Sequence, residues 1–125
     1  MSETLFEKIG EEKMREIIEA FYIKAFSDSM ISHFFFNKDR EHLTKMQFLF
    51  TASNFGSKAH QYPGKPMKLA HTGLPFKNVH FDRRKVLMLE SMKEAGLSED
   101  LSDAWIYMEE KFRKLIVSDS SGCMD

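Results

Sequence analysis

Two polar residues interrupt apolar helical faces in this sequence, and each could donate a hydrogen bond to a ligand. Tyr22 follows Phe21 in the apolar stripe of a predicted helix, and Gln47 interrupts the stripe formed by Leu43 and Phe50. A buried polar group must be hydrogen-bonded, because otherwise it costs about 1–3 kcal/mol of stability. The ordinary alternatives are a core tyrosine bonded to a backbone carbonyl, which is the commoner arrangement, and a glutamine at the helix edge that reaches water. The pattern alone leaves both alternatives open.

His71 is the third polar residue with possible chemistry, since a neutral imidazole is a standard axial ligand of haem iron. It follows Met67 by one turn of a predicted short helix. It also lies beside Ala70, whose small side chain would let a flat ring approach. A lone histidine on a short helix is more often a surface or core residue than a metal ligand. No cysteine or carboxylate near His71 has the spacing of a zinc site.

Composition favours a single globular domain with a bulky apolar interior. The 125 residues fit one domain, and 42% of them are hydrophobic and 30% charged, an ordinary balance for a globular protein. They include 12 Phe and 9 Met. These side chains could form a Phe- and Met-rich core, or they could line a cavity for a large, flat, apolar ligand.

Charge and targeting signals argue against several classes of protein. The 18 basic and 19 acidic residues are mixed along the chain, so no basic stripe supports nucleic-acid binding. No run reaches the ~20 apolar residues that span a bilayer, so no membrane partner is expected. We recognise no signal peptide. The single cysteine, Cys123, lies in a polar tail and allows no intrachain disulfide. We therefore expect a cytoplasmic protein.

The elements that position these residues are predicted to be helical, because no sustained period-two run of β-branched residues indicates a strand. An apolar stripe at three- and four-residue spacing predicts a first long helix over Glu11–Phe26, which carries Tyr22. The segment Met30–Phe36 predicts a short helix that ends in an aromatic corner. Asp39 is the expected N-cap of the next helix, which ends near Asn54.

The second half of the chain predicts one short helix between two long ones. Residues 57–64 are expected to form a loop, and Pro66 suits the first turn of the short helix that carries His71. A long helix is expected from His80 to Ala95. Ser98 is the expected cap of a last helix, whose inward stripe is Leu101, Trp105, Met108, Phe112 and Leu115. A short helix between long ones can leave a gap in the core.

Several motifs resemble those of truncated, two-over-two globins, most closely the group I type. They are the Phe21-Tyr22 pair, His33-Phe34-Phe35 at the corner, Tyr62-x-Gly64-x-x-Met67-x-x-Ala70-His71, and His80-Phe81-Asp82. The resemblance extends from about Leu5 to Val117. Residues 1–117 are therefore identified as a truncated globin domain, and residues 118–125 as a polar C-terminal tail.

The resemblance implies an all-α fold in which a two-over-two helical sandwich encloses haem b (iron protoporphyrin IX). His71 resembles the proximal iron ligand of the family, and Tyr22, Leu43 and Gln47 resemble its distal residues. Phe35 resembles the aromatic residue that wedges against the porphyrin. The other implied haem contacts are Phe34, His42, Leu43, Met46, Phe50, Met67, Lys68 and Phe81. Of these, His42 and Lys68 lie where exposed side chains could meet the propionates, as does Lys45.

The sequence departs from the family pattern at five places, one of which is a slightly longer loop between Phe55 and Tyr62. The glycine pairs expected at two turns are reduced to Gly10-Glu11 and Gly56-Ser57, so these loops are expected to differ in shape. Met46 stands where some relatives carry a second iron-binding histidine, although Met can itself ligate haem iron. Arg84 stands where the family generally places an apolar residue or Trp. It could signal a shifted helix register, a cation in the pocket or a side chain that reaches solvent, and we expect the last.

The function implied by the resemblance is reversible binding of O2, and also of CO and NO, at ferrous iron held by His71. An alternative is a nitric oxide dioxygenase that uses an external reductase, and a peroxidase-like side activity is a further enzymatic possibility. A third is a haem-free helical sensor or interaction module, which leaves Tyr22, Gln47 and His71 without a shared purpose. The sequence leaves open whether the protein carries, stores, senses or detoxifies its ligand.

Overall fold

The computed structural model describes residues 3–63 and 75–117, and every regular element within these ranges is helical. The elements in chain order are α1 (Leu5–Ile9), α2 (Glu11–Ser27), a 3₁₀ turn (Ser32–Phe35), α3 (Arg40–Asn54), α4 (Asn78–Glu94), α5 (Glu99–Glu110) and α6 (Arg113–Ile116). The predicted all-α class is confirmed. Both the predicted short helix that begins at Pro66 and the tail 118–125 lie outside the described residues. None of the described helices has the length and apolar character needed to cross a membrane.

Helix α2 is the centre of the fold, because it packs against both α3 and α4. Its apolar residues recur every three or four positions, and the buried ones are Met14, Ile17, Ile18, Phe21, Tyr22 and Ala25. They share one core with Phe48 and Ala52 of α3, Leu87, Met88 and Met92 of α4, and Trp105 of α5. Full burial of a large apolar side chain stabilises a fold by about 1.5–3 kcal/mol. This shared core therefore fixes the helices relative to one another.

The helix starts that the sequence marks with capping residues are the ones the structure reproduces best. The Oδ1 atom of Asp39 accepts hydrogen bonds from the backbone N–H groups of Glu41 (3.0 Å) and His42 (3.3 Å) at the start of α3. The hydroxyl of Ser98 accepts from the backbone N–H of Leu101 (3.2 Å) at the start of α5. Each cap satisfies N–H groups that have no partner within the helix.

Helix α1 is too short to show an apolar stripe in the sequence, and it was not predicted from the sequence. It begins with a capping box between Thr4 and Glu7. Gly10 takes a φ of 92° between α1 and α2, and Gly56 takes a φ of 104° after α3. A Cβ atom at Gly56 would lie 2.6 Å from the Cβ of Thr4, so the glycine lets α1 approach closely. One glycine suffices at each turn, although the second glycine of each pair is missing.

The prediction that the last helix continues to Leu115 is wrong. Helix α5 ends at Glu110, a separate turn, α6, follows, and Leu115 is 41% exposed. Arg113 draws this turn towards α4, because its Nη2 donates to Oδ1 of Asp82 at 2.7 Å. The break also places the ring of Phe112 against that of Phe50, with 5.2 Å between the centroids. No glycine or proline marks this break in the sequence.

Asp28 joins the end of α2 to α4 below the aromatic corner. Its Oδ2 accepts hydrogen bonds from the backbone N–H groups of Met30 (3.0 Å) and Ile31 (3.2 Å). Its Oδ1 accepts from Nε (2.9 Å) and Nη2 (2.7 Å) of Arg83. The hydrogen bond from Arg83 lowers the pKa of this carboxyl below its ordinary value of 3.8, and burial opposes that effect only in part. Asp28 therefore stays ionised and holds the turn that leads to the 3₁₀ segment.

We expect Asp28→Asn to lower the free energy of unfolding by about 2–3 kcal/mol, because it replaces charge-assisted hydrogen bonds in a buried place. Urea unfolding measures the change. Glu94→Gln is the matched control, since it removes the exposed ion pair of Lys24 and Glu94 (2.9 Å) between the same two helices. That change should cost less than about 1 kcal/mol.

The pH dependence of Asp28→Asn has a defined sign. The folded-state pKa of Asp28 is depressed, so its contribution is present above the ordinary value of 3.8 and is lost as the pH falls through the folded-state pKa. The difference in unfolding free energy between wild type and variant should therefore shrink in acid. A difference that stays constant down to acid unfolding would contradict this account of Asp28.

Candidate functional site

A cavity of about 260 Å³ lies where α2, the 3₁₀ turn, α3 and α4 meet the end of α5. Its wall is mostly aromatic and aliphatic, with a few polar groups. The lining residues are Phe21, Tyr22, Ile31, Phe34, Phe35, Lys38, Leu43, Met46, Gln47, Phe50, Tyr62, Phe76, Phe81, Arg84, Glu109, Phe112 and Ile116. A concave, mainly apolar site with a small number of polar groups is typical of a pocket for an organic ligand or cofactor.

The structure brings most of the predicted site residues to this one cavity. Those that line it are Tyr22, Phe34, Phe35, Leu43, Met46, Gln47, Phe50 and Phe81. His42 and Lys45 are exposed on α3, and neither lines the cavity. Met67, Lys68 and His71 lie outside the described residues. The contacts that any of these residues make with a cofactor stay predictions.

Tyr22 is buried in the wall of the cavity without a hydrogen-bond partner for its hydroxyl among the described residues. The side chain is held by edge-to-face contacts of its ring with Phe21, Phe26 and Phe35, at centroid distances of 5.0, 6.3 and 5.9 Å. Burial raises the pKa of the phenol to about 12. The hydroxyl is therefore protonated at neutral pH and is available as a donor. The alternative of a core tyrosine bonded to a backbone carbonyl finds no support in the described part of the chain.

Gln47 lies on the face of α3 that borders the cavity, and its amide is anchored within the helix. Its Nε2 donates to the hydroxyl of Thr51 at 3.0 Å, one turn further along α3. Thr51 is buried, and Gln47 is half-buried. A side-chain amide has two N–H donors. The bond to Thr51 uses one of these N–H groups, and the described residues supply no partner for the other.

Arg84 contradicts the expectation that its side chain reaches solvent. It lines the cavity, with its side chain only 15% exposed. Its Nη1 donates to Oε1 of Glu109 at 2.6 Å, and its Nη2 donates to Oε2 at 3.3 Å. The guanidinium carbon lies 5.0 Å from the ring centroid of Phe21 and 5.9 Å from that of Phe81. The snorkelling prediction is wrong, because a carboxylate on α5 and two aromatic faces hold the cation inside.

Glu109 is the main residue that sequence reasoning missed. Its carboxylate accepts hydrogen bonds from Arg84 and also from the indole Nε1 of Trp105 at 2.9 Å. Trp105 precedes Glu109 by one helical turn, so both lie on the inward side of α5. That spacing was the one signal in the sequence that could have indicated an inward-facing carboxylate. Other cavity residues without a predicted site role are Phe21, Ile31, Lys38, Tyr62, Phe76, Phe112 and Ile116.

The residues of the wall fit the flat, largely apolar group that the sequence resemblance implies, which is haem. Phe35 stacks on Phe26 with 4.9 Å between centroids and 17° between the ring planes. The stack holds the ring of Phe35 at one side of the cavity. The unpartnered hydroxyl of Tyr22 is the second feature that fits, because a small ligand inside the cavity would satisfy it. Within the described ranges, no group of three or more metal-ligating side chains suggests a different metal site.

Comparison with known protein families gives an independent result. The family model described as "Bacterial-like globin" matches residues 4–118. A group 1 truncated haemoglobin from Tetrahymena pyriformis is 37% identical over 98 residues, which cover 78% of this chain and 80% of that protein. A group 1 truncated haemoglobin from Synechocystis is 32% identical over 103 residues, covering 78% of this chain and 82% of that one.

Solved structures of truncated haemoglobins share the fold. The crystal structure of the Tetrahymena pyriformis truncated haemoglobin in its Fe(III) form superposes with a TM-score of 0.87 at 32% sequence identity. The alignment covers 94% of this chain and all of that one. A 2/2 haemoglobin from Synechococcus, in the cyanomet state with covalently attached haem, gives a TM-score of 0.85 at 27% identity and covers 92% and 98% of the two chains.

We expect Glu109→Leu to lower the free energy of unfolding by about 3–5 kcal/mol, because it leaves the guanidinium of Arg84 buried without a carboxylate. The double variant Arg84→Met/Glu109→Leu should recover most of that loss. Lys85→Met is the control, since it removes the more exposed ion pair of Lys85 and Glu110 (3.0 Å) between the same two helices, at a cost below about 1 kcal/mol. Urea unfolding of all variants tests this. An equal cost for Glu109→Leu and Lys85→Met would be inconsistent with a buried pair.

Proposed function

The chain belongs to the bacterial-like globin family and matches group 1 truncated haemoglobins over most of its length. On that premise we propose that it binds diatomic gases and assign roles in this binding to its own residues. In this proposal His71 would hold the iron of haem b, while Tyr22 and Gln47 would donate hydrogen bonds to a gas ligand. Phe34, Phe35 and the remaining predicted contacts hold the macrocycle in place. A cytoplasmic location stays part of the proposal on the sequence grounds given above.

The observation that carries this proposal is the buried hydroxyl of Tyr22, which has no partner among the described residues. When bound, haem supplies a ferrous iron that takes diatomic ligands such as O2, CO and NO. Tyr22 supplies a protonated donor inside an apolar wall, where a hydrogen bond is stronger than in water. A polar ligand such as O2 gains from that donor, whereas CO is less polar and gains less. The protein should therefore release O2 slowly.

Gln47 supports the same ligand from α3. Its anchoring bond to Thr51 restricts the amide, so little side-chain entropy is lost when the amide meets a ligand. Leu43 lies on the same face of α3 and lines the cavity, and it contributes no donor. Two donors on two different helices, α2 and α3, thus converge on one apolar space.

Conversion of nitric oxide to nitrate with O2 is a second candidate function. The buried, protonated hydroxyl of Tyr22 favours it, because a hydrogen bond from this donor would keep O2 in the cavity until nitric oxide arrives. The reaction needs an external reductase to return the iron to the ferrous state. Consumption of nitric oxide in the presence of O2 and a reductant, at a rate that exceeds the reaction in buffer, is the test. Transport of O2 without turnover is the outcome expected if this activity is absent.

We expect the purified, haem-supplied protein to show a strong Soret band that shifts when CO is added to the reduced form. His71→Ala should weaken the retention of haem and change this spectrum, because the proposed iron ligand is lost. His33→Ala is the control, since it removes an exposed histidine of the 3₁₀ turn that does not line the cavity. A protein that shows no Soret band after haem is supplied would rule out the proposed function.

We expect Tyr22→Phe to speed O2 dissociation by roughly tenfold or more, since one hydrogen bond to a strongly polar ligand is lost in an apolar wall. Stopped-flow measurement of O2 release gives the rate. Tyr107→Phe is the matched control, because that ring is 67% exposed and lies outside the cavity. CO dissociation should change much less. Equal O2 release from wild type and Tyr22→Phe would remove Tyr22 from the proposal.

A further inference from the structure

Arg84 places a cation in the wall of a cavity that otherwise consists mostly of rings and aliphatic groups. A guanidinium carries five N–H donors. Glu109 accepts two of them, and the described residues supply no acceptor for the other three. A charged group that is 15% exposed and retains unused donors is costly unless something meets those donors. These remaining N–H groups could donate to a ligand that has acceptor atoms.

Glu109 positions the guanidinium of Arg84, and both of its carboxylate oxygens are engaged in hydrogen bonds. Its Oε1 accepts from Arg84, and its Oε2 accepts from Arg84 and from Trp105. A two-point contact between a carboxylate and a guanidinium sets the plane of the guanidinium as well as its place. The faces of Phe21 and Phe81 restrict it from the side.

Arg84 and Glu109 both act electrostatically on the hydroxyl of Tyr22, which borders the same cavity. At the hydroxyl of Tyr22, the charge of Arg84 lowers the pKa of the phenol by more than the carboxylate of Glu109 raises it. Independently of that effect, the charged residues among the described lining are two cations, Arg84 and Lys38, and one carboxylate, Glu109. Lys38, an exposed residue between the 3₁₀ turn and α3, also lines the cavity and adds a positive charge.

On the premise of the proposed function, we propose that Arg84, positioned by Glu109, is a specificity-determining residue that raises the affinity of this cavity for small monovalent anions such as azide, fluoride and nitrite relative to neutral ligands. An anion that enters an apolar cavity loses its hydration, and only a nearby cation or several donors can offset that loss. Arg84 supplies both the charge and unused N–H donors, and Tyr22 supplies a further donor. Neutral CO gains little from either residue, so the effect of Arg84 is specific for charged ligands.

The test uses the double variant Arg84→Met/Glu109→Gln, which removes the cation without leaving a buried, unpaired carboxylate. The amide oxygen introduced at position 109 can still accept from Trp105. The matched control is Lys85→Met/Glu110→Gln, which neutralises an ion pair between the same helices that does not line the cavity. Absorbance titration of the ferric, haem-loaded proteins with azide gives the affinities. We expect the double variant to bind azide at least roughly tenfold more weakly, and the control to be unchanged.

A spectroscopic measurement on the reduced proteins separates the electrostatic effect from a change in packing. A positive potential near added CO lowers its C–O stretching frequency. The frequency should therefore rise in Arg84→Met/Glu109→Gln, stay unchanged in the control, and remain low in Arg84→Lys, which keeps the charge. The affinity for CO should hardly change in any of them.

The outcomes distinguish this proposal from the proposed function. If CO binds and gives its Soret shift, but azide affinity and the C–O frequency are the same in wild type and variant, gas binding stands and the role of Arg84 is wrong. If the variant loses haem faster while azide affinity per bound haem is unchanged, Arg84 acts on the macrocycle and the anion site is likewise excluded. Absence of any Soret band overturns both proposals.

Discussion

The rest of this structure depends on the burial of the apolar residues of helix α2, because two other helices must pack against that one helix. Its buried stripe packs against α3 and α4 together, and the shared core with Trp105 leaves little freedom in their arrangement. Tyr22 belongs to that stripe but borders the cavity. The same packing that stabilises the fold therefore holds one hydroxyl in an apolar wall, where it has no protein partner among the described residues. Structure and site arise from the same helix.

Much of the fold could be predicted from local signals. Asp39 and Ser98 mark helix starts because each satisfies N–H groups within one turn, and such an interaction is visible in the sequence. Helix α1 and the break before Arg113 could not be predicted in this way. The first depends on close approach to Gly56, and the second on a hydrogen bond from Arg113 to Asp82, which is 31 positions away. Tertiary contacts decided both.

The residues of the site likewise fall into those that the sequence indicates and those that only tertiary contacts reveal. Tyr22 and Gln47 were identifiable because polar residues on apolar faces are conspicuous, and the resemblance to truncated globins gave them a common purpose. Arg84 was conspicuous too, but its partner Glu109 is 25 positions away on another helix. A sequence pattern can indicate that a charged residue lies on an inward face, but it does not show which distant residue forms the ion pair with it. The default expectation of an exposed arginine therefore failed. His71 lies outside the described residues, so its role rests on the motif.

The placement of Trp105 has an optical consequence. It is the single tryptophan of the chain, it is fully buried, and its indole donates to a carboxylate that borders the cavity. Excited indole transfers its energy efficiently to a nearby porphyrin, whose absorption overlaps indole emission. If haem binds in this cavity as proposed, the fluorescence of Trp105 would report its occupancy from a single, fixed position. Emission would be bright in the empty protein and dark once the macrocycle is in place, with no label needed.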